Sequence, residues 1–494
     1  MRKLVSIAVV LCCFAGGSFT TPCNSSSSTY ISFDQVIAGV PDTQNQSLGL
    51  QNFQTETSFN IWINPAQINE WQTVYGEVWG GAGNTWGGAN FKLPASHLGV
   101  FVGRPYVGTI ANSGALSLNG LINVNGLGST GAAIGNTITD NLTPLGITNN
   151  TLDLFYGMPM DNMSLGLRLS MANNSLNQDY TYTAAVAPSF GDGTVGSKRL
   201  SSDTQIGVGA LLKDMGPFEK LDVALTISIP SVNNSFSLSC VPAVTTNRMT
   251  ASDELKSTNA ANMSLLARGL LGVYDNKLYT TFGYASTDIS AKRTALTDND
   301  VTGVVGLNNH TQEAFTDKTT NLVLDAAYHT QPSKDIKAIY TFGFRSSAQS
   351  NEVLETDLGG QVLNTVLGPV AYLKQEITST NIPFSVAVEH KTWTKVCTRI
   401  GVQSTLMSNT KVKATSQIYA VSGTPLLRDT AIQVANTENT TTPIAQAATV
   451  SLGFGIQPAK DFDLDIAIVS TIFDLDSGAG VSDLISRASI RYHF

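Results

Sequence analysis

The sequence predicts an all-β fold, a closed antiparallel transmembrane β-barrel of about sixteen strands, a count that leaves fourteen open. Three observations predict it. Apolar and polar residues alternate along many short segments, tight turns recur about every sixty residues, and the chain ends in an alternating segment that closes on phenylalanine. Composition agrees. Charged residues make up 13% of the 494-residue chain, about half the share usual in soluble domains, and mean hydropathy is +0.05. A helical membrane protein would be far more apolar, whereas a wall with one apolar and one polar face averages to this middle value. The net charge of -8 excludes a nucleic-acid binder, because neutralising phosphates needs a basic face.

The N-terminus carries a secretory signal, assigned to residues 1–21. Arg2 and Lys3 form its charged start, Leu4 to Phe14 its apolar core, and Ala15, Gly16 and Gly17 its small residues. Neither Cys12 nor Cys23 follows the small residue that precedes a lipidated cysteine, so no lipid anchor is expected. Cys23, Cys240 and Cys397 remain after cleavage, an odd number with no metal-ligand spacing. Beyond the signal no stretch approaches the roughly 18 consecutive apolar residues of a membrane helix.

The barrel is assigned to residues 71–494, with its first strand near Trp71 to Gly80 and its last near Leu484 to Phe494. In Met163 to Met171 the apolar set Met163, Leu165, Leu167, Leu169 and Met171 opposes Ser164, Gly166, Arg168 and Ser170. In Leu221 to Ile229 a row of Leu, Val and Ile opposes Asp222, Ala224, Thr226 and Ser228. Such alternation places the two sets on opposite faces of a strand. Tight turns are read near Pro94, Pro159, Pro217, Asp275, Pro332, His390 and Pro458, and two of them, Gln331 to Ile336 and Gln457 to Phe462, are nearly the same sequence. The polar stretches Tyr106 to Asn150, Val232 to Ala261, Asp288 to Thr319, Ser346 to Thr380 and Met407 to Pro443 are expected as long loops, with room for a short helix near Val362 to Val366. Tight turns at one end and long loops at the other is the asymmetry of outer-membrane barrels, periplasmic and extracellular respectively.

On this reading the polar faces line the interior. Candidate pore-lining residues are Arg168, Asp222, Arg268, Asp325 and Arg345 and, further along, Glu389, Arg399, Asp463 and Asp465; Arg487 and Arg491 join them. A lipid-facing Arg at mid-membrane costs roughly 2–4 kcal/mol, which forces an inward choice. The charges then either line a water-filled path or pair with one another and with an internal plug. Phe218, Tyr274, Tyr279, Trp393, Phe462 and Tyr492 suit an interfacial aromatic girdle. At the C-terminus Ala488, Ile490, Tyr492 and Phe494 alternate with charged and polar residues. This end resembles the recognition strand of outer-membrane proteins, which makes Ile490, Tyr492 and Phe494 the candidate signal for the barrel-assembly machinery. Lipid of the bacterial outer membrane is then the expected surroundings.

A polar segment, Asn24 to Asn60, precedes the first strand and leads into Ile61-Trp-Ile-Asn-Pro-Ala-Gln-Ile68. The triad Asn64, Pro65 and Ala66 resembles the Asn-Pro-Ala motif carried just ahead of the barrel by the long-chain fatty-acid transporter family, a family of hydrophobic-compound channels. Gln67 and Ile68 stand where that family continues with Gly-Leu, and its barrel has fourteen strands. The resemblance implies that residues 22–70 form a hatch that plugs the barrel and controls the passage of small, hydrophobic cargo.

No enzyme is expected. The five histidines are scattered, without paired metal spacing, and neither a Gly-x-Ser-x-Gly elbow nor a phosphate-cradling loop is present. No cofactor and no metal are therefore expected. The expected function is passive uptake of small molecules, hydrophobic compounds foremost. The alternatives are a general porin for polar solutes and a structural or adhesive barrel acting through its loops. An oligomer is compatible with each.

Overall fold

A computed structural model describes residues 42–79, 85–104, 151–182, 193–240, 249–299, 309–357, 368–419, 431–441, 449–468 and 485–494. The Tyr106 to Asn150 loop and the Val362 to Val366 stretch lie outside them. Ahead of the wall come one short helix, α1 (Thr43–Leu48), and three 3-10 turns, Asn52–Gln54, Ser58–Trp62 and Pro65–Glu70.

The wall begins with four short strands, β1 (Thr73–Trp79), β2 (Thr85–Lys92), β3 (His97–Val102) and β4 (Thr151–Pro159). Longer ones follow: β5 (Met163–Tyr182), β6 (Gly193–Met215), β7 (Phe218–Cys240), β8 (Met249–Val273) and β9 (Asn276–Asn299). They continue with β10 (Asn309–Ser333), β11 (Ile336–Asp357), β12 (Gly368–Trp393) and β13 (Val396–Tyr419). The ring is completed by β14 (Ala431–Thr441), β15 (Thr449–Ala459), β16 (Phe462–Ile468) and β17 (Ile485–His493). Every pairing is antiparallel and, apart from β13 with β15, joins neighbours in sequence until β17 returns to β1, from Thr73 opposite His493 to Trp79 opposite Arg487. Closure removes the free edge and satisfies the backbone between strands, the condition for strands to cross lipid. Both β14 and β15 pair with β13, along 410–419 and 396–403 respectively, so they share one position. The seventeen elements therefore make a sixteen-strand barrel.

Period-two alternation sorts side chains between outside and inside. Leu167 and Met171 on β5 are exposed, with Arg168 and Ser170 between them buried. Leu225, Ile227 and Ile229 on β7 are exposed, opposite buried Asp222, Ala224 and Ser228. Exposed apolar rows facing away from a buried polar lining are the inverse of a soluble fold and mark the lipid-facing surface.

The sequence places the turns of the barrel well but misjudges how far its strands run. The turns at 216–217, 274–275, 334–335, 394–395 and 460–461 stand within a few residues of the expected positions. Most of Val232 to Ala261, Asp288 to Thr319, Ser346 to Thr380 and Met407 to Pro443 is strand, not loop. β8 has 25 residues and β12 has 26, against the roughly 9–11 that cross a bilayer. The exposed apolar residues of β7 end at Ile229; beyond it Ser231, Asn233, Ser235 and Ser237 occupy the outer face. A hairpin ladder continues past the lipid as long as its backbone groups pair, with water accepting Ser and Asn on the outside, so loss of apolar alternation marks the end of the membrane and not the end of the strand.

That boundary is measurable. Ile227→Arg, within the apolar band, is expected to lower unfolding free energy in lipid vesicles by roughly 2–4 kcal/mol. Ser235→Arg, on the same outer face of the same strand, is expected to leave denaturant midpoints nearly unchanged.

Candidate functional site in the barrel lumen

Residues 42–70 fold inside the ring. The chain there is short and polar, and its scaffold is its own side chains. Asp42 caps α1 by accepting from the Asn45 backbone N–H at 2.7 Å. Asn45 donates to Asn52 at 3.1 Å and accepts from Thr55 at 2.6 Å, and Asn60 donates to the Thr55 carbonyl at 2.9 Å. Asn64 caps the last 3-10 turn, accepting from the Ala66 N–H at 2.9 Å, and Pro65 occupies the first position of that turn, where a missing N–H costs nothing. The Asn-Pro order is thus a cap followed by a residue preset for the turn.

The segment meets the wall on every side. Phe59, Trp62 and Ile68 pack with Tyr75, Trp86, Phe101 and Phe155 from β1 to β4. Within that cluster Trp62 and Phe101 ring centroids lie 4.8 Å apart, edge to face, and each such pair adds about 0.5–1.5 kcal/mol beyond area burial. Phe53 and Ile63 pack with Leu266, Ala285 and Val323, and Leu48 and Leu50 with Ile339 and Ala387. Glycine makes the closest approaches feasible. A Cβ on Gly166 would sit 2.2 Å from the Ala66 nitrogen, one on Gly209 1.8 Å from Asn64 Oδ1, and one on Gly401 1.8 Å from the Leu48 carbonyl oxygen.

Buried charges from the wall bind the segment. Asp222 accepts from Asn64 Nδ2 at 3.0 Å and Gln67 Nε2 at 2.7 Å, and pairs with Arg268 Nη2 at 2.6 Å. Arg268 donates onward to the Thr55 carbonyl at 2.9 Å, and Arg168 to the Trp62 carbonyl at 2.8 Å. Asp325 accepts from Gln54 at 3.1 Å and pairs with Arg345 at 3.0 Å, while the Arg345 guanidinium lies 5.5 Å from the Phe53 ring centroid. His329 Nε2 stands 2.7 Å from the Gln54 carbonyl. Lys220 pairs with Glu56 at 2.8 Å and Lys213 with Glu70 at 2.7 Å. Burial pushes the Glu56 carboxyl up, but the hydrogen bond and charge of Lys220 outweigh it and hold the pKa below the usual carboxylate range.

A second network lies beneath α1. Arg399 pairs with Glu389 at 2.6 Å and with Asp465; Arg491 shares Asp465 and donates to Gln44 of α1 at 3.0 Å. Asp463 sits nearer the tight-turn mouth, 3.0 Å from His493 Nε2. Thr43 of α1 donates to Glu77 at 2.6 Å, and Tyr75 and Trp86 donate to the same carboxylate.

Several of these residues escape the sequence reading. Glu77 lies in the alternation of β1, opposite Val74, Gly76 and Val78, and that pattern is the signal that could have found it. Asp153, which pairs with Arg104 at 2.7 Å, lies between Leu152 and Leu154 on β4, and His329 keeps the phase of Asp325 on β10, so both carry the same mark; Gln54, ahead of the barrel, carries none. Two girdle assignments are corrected: Tyr279 is buried against His329, with ring centroids 4.7 Å apart, and Trp393 lies at the tight-turn mouth of the lumen. Alternation near a strand end names the face only if the last residues keep the phase, and Tyr279 sits in phase with inward Thr281. The C-terminal Ile490 and Tyr492 belong to β17, and Tyr492 stacks on Phe494 with centroids 6.2 Å apart.

The sequence matches no family model and no curated protein. Among solved structures it is similar to the toluene transporter TodX of Pseudomonas putida, at 12% identity and a TM-score of 0.32 over 88% of this chain and 91% of that one. It is also similar to the ferric yersiniabactin uptake receptor FyuA of Yersinia pestis, at 9% identity and a TM-score of 0.33 over 86% and 80%. Likenesses this distant carry no information about cargo.

Proposed function

We propose that the protein is an outer-membrane channel for passive uptake of small molecules, hydrophobic compounds foremost, closed at rest by its N-terminal segment. The observation that supports this reading is the seating of residues 42–70 within the ring, held to the wall from β1 round to β17 by apolar packing and by Asp222, Asp325, Arg168 and Arg268. A structural barrel gains nothing from such a filling, whereas a channel with a removable closure requires one. The candidate lumen residues then act by holding the closure. Arg168, Asp222, Arg268, Asp325 and Arg345 fix its body, and Glu389, Arg399, Asp463 and Asp465 edge the mouth beneath α1. Asn64, Pro65 and Ala66 form its seat. The preference for hydrophobic cargo rests on the likeness of this triad to the fatty-acid transporter motif. Ile490, Tyr492 and Phe494 serve as the assembly signal, and the tight turns face the periplasm.

In a planar bilayer the full protein is expected to be nearly silent, and a variant lacking 24–60 to conduct in large, steady steps. Large steps from the unaltered protein would instead indicate an open general porin.

A further inference from the structure

Between α1 and the tight turns at 334–335 and 394–395 lies a cavity of about 450 Å3, with Gln44 of α1 in its lining. That volume falls within the range of small-molecule sites, about 300–1,000 Å3. Its lining holds six cationic side chains against four carboxylates. Two of the carboxylates, Glu389 and Asp465, are engaged by Arg399 and Arg491, and a third, Asp463, by His493. Lys337 and Lys391 both line the cavity, and neither makes an ion pair within 4 Å among the described residues. Arg491, at 8% exposure, is held by Asp465 and Gln44 and closes the inner end of the cavity. Beside these cations the indole of Trp393 is 67% exposed, and Ile336, Val396 and Ile456 add apolar lining.

We propose that this vestibule binds a small organic anion, a phosphate or carboxylate group carried on an apolar body. The anionic oxygens take the excess positive charge of Lys337 and Lys391, and the apolar body lies against Trp393. An ammonium–aromatic lining of this kind recognises charge and hydrophobic surface together, because the indole face favours both apolar and cationic neighbours. The binding is an equilibrium property of the mouth and holds whether or not cargo passes the lumen. The anionic group has two sources, a soluble metabolite or the headgroup of an acidic lipid.

The test uses the full chain in neutral detergent and follows tryptophan fluorescence. One arm titrates benzyl phosphate, the other adds phosphatidylglycerol to the micelles. A saturable change is expected in at least one arm. It should be absent in Trp393→Phe and at least tenfold weaker in the double variant Lys337→Gln/Lys391→Gln, whose altered side chains are exposed and whose folding a heat-modifiable gel shift verifies. Saturation by benzyl phosphate assigns a soluble anion, and saturation by phosphatidylglycerol alone assigns the headgroup; either upholds the site. No saturable change in both arms, or a change that the double variant leaves intact, overturns it.

Discussion

Asp222→Ala is expected to lower the unfolding free energy by about 3–5 kcal/mol, the cost of stranding a buried charge. The carboxylate is 3% exposed and has three partners: Arg268 on the neighbouring strand, and Asn64 and Gln67 on the inserted segment. Removing it leaves the Arg268 guanidinium buried without a counterion, and two amides without an acceptor. The double variant Asp222→Leu/Arg268→Met should recover most of the loss, since replacing both partners of a buried pair by apolar groups of similar volume is often neutral. The two variants should nevertheless share one defect. Asn64 loses its hold on β7 in both, so both should show intermittent conductance in planar bilayers. A single variant with an unchanged denaturant midpoint and a silent membrane would show that Asp222 holds neither wall nor segment.

The second large effect is expected at the glycines under the motif. A Cβ on Gly166 would fall 2.2 Å from both the Pro65 carbonyl carbon and the Ala66 nitrogen, which are backbone atoms with no rotamer to yield. Gly166→Val therefore forces a choice between the wall and the segment. The wall is tied by continuous ladders on both sides, from Pro159–Ser164 to Tyr182–Gly193, so the segment is the part that moves. The barrel should keep its heat-modifiable migration while steady conductance appears and protease sensitivity spreads into residues 42–70. Gly209→Ala should be milder, because the atom it meets is the side-chain oxygen of Asn64, which can rotate away at the cost of its cap on Ala66. Gly196→Val is the control. Its nearest neighbours are the Ser237 hydroxyl at 3.0 Å and the Asp179 carboxylate at 3.2 Å, with no part of the inserted segment nearby. If Gly166→Val stays closed to ions, the seat is not what keeps the lumen shut.

Parts of the candidate site are readable from residue order, and parts are not. Asp222 and Arg268 can be assigned to a polar face because each sits in phase with an alternating row. That they lie opposite one another, with Asp222 paired to Arg268 in the β7–β8 register, depends on where the two strands start their ladder. A register is set by turn geometry and by the whole face it buries, and a slip of one residue would exchange the two faces. Asn64, Pro65 and Ala66 announce a capped turn by themselves. Their receiving surface, Gly166, Gly207 and Gly209 on β5 and β6, reads as ordinary glycine in a Gly-rich chain, and its purpose is visible only with the segment in place.

By itself the sequence determined the kind of wall: period-two alternation assigns each side chain a face, tight turns divide the strands, and the final alternating segment is built to pair on both edges. Those are local properties, legible because strand geometry repeats every two residues. Only the tertiary structure decided that β17 meets β1, that the ladders run far past the lipid, and that a 29-residue span, 42–70, occupies the interior. These depend on contacts between residues far apart in the chain, such as Gln54 with Asp325 and Gln44 with Arg491. No periodicity within either partner encodes such a meeting.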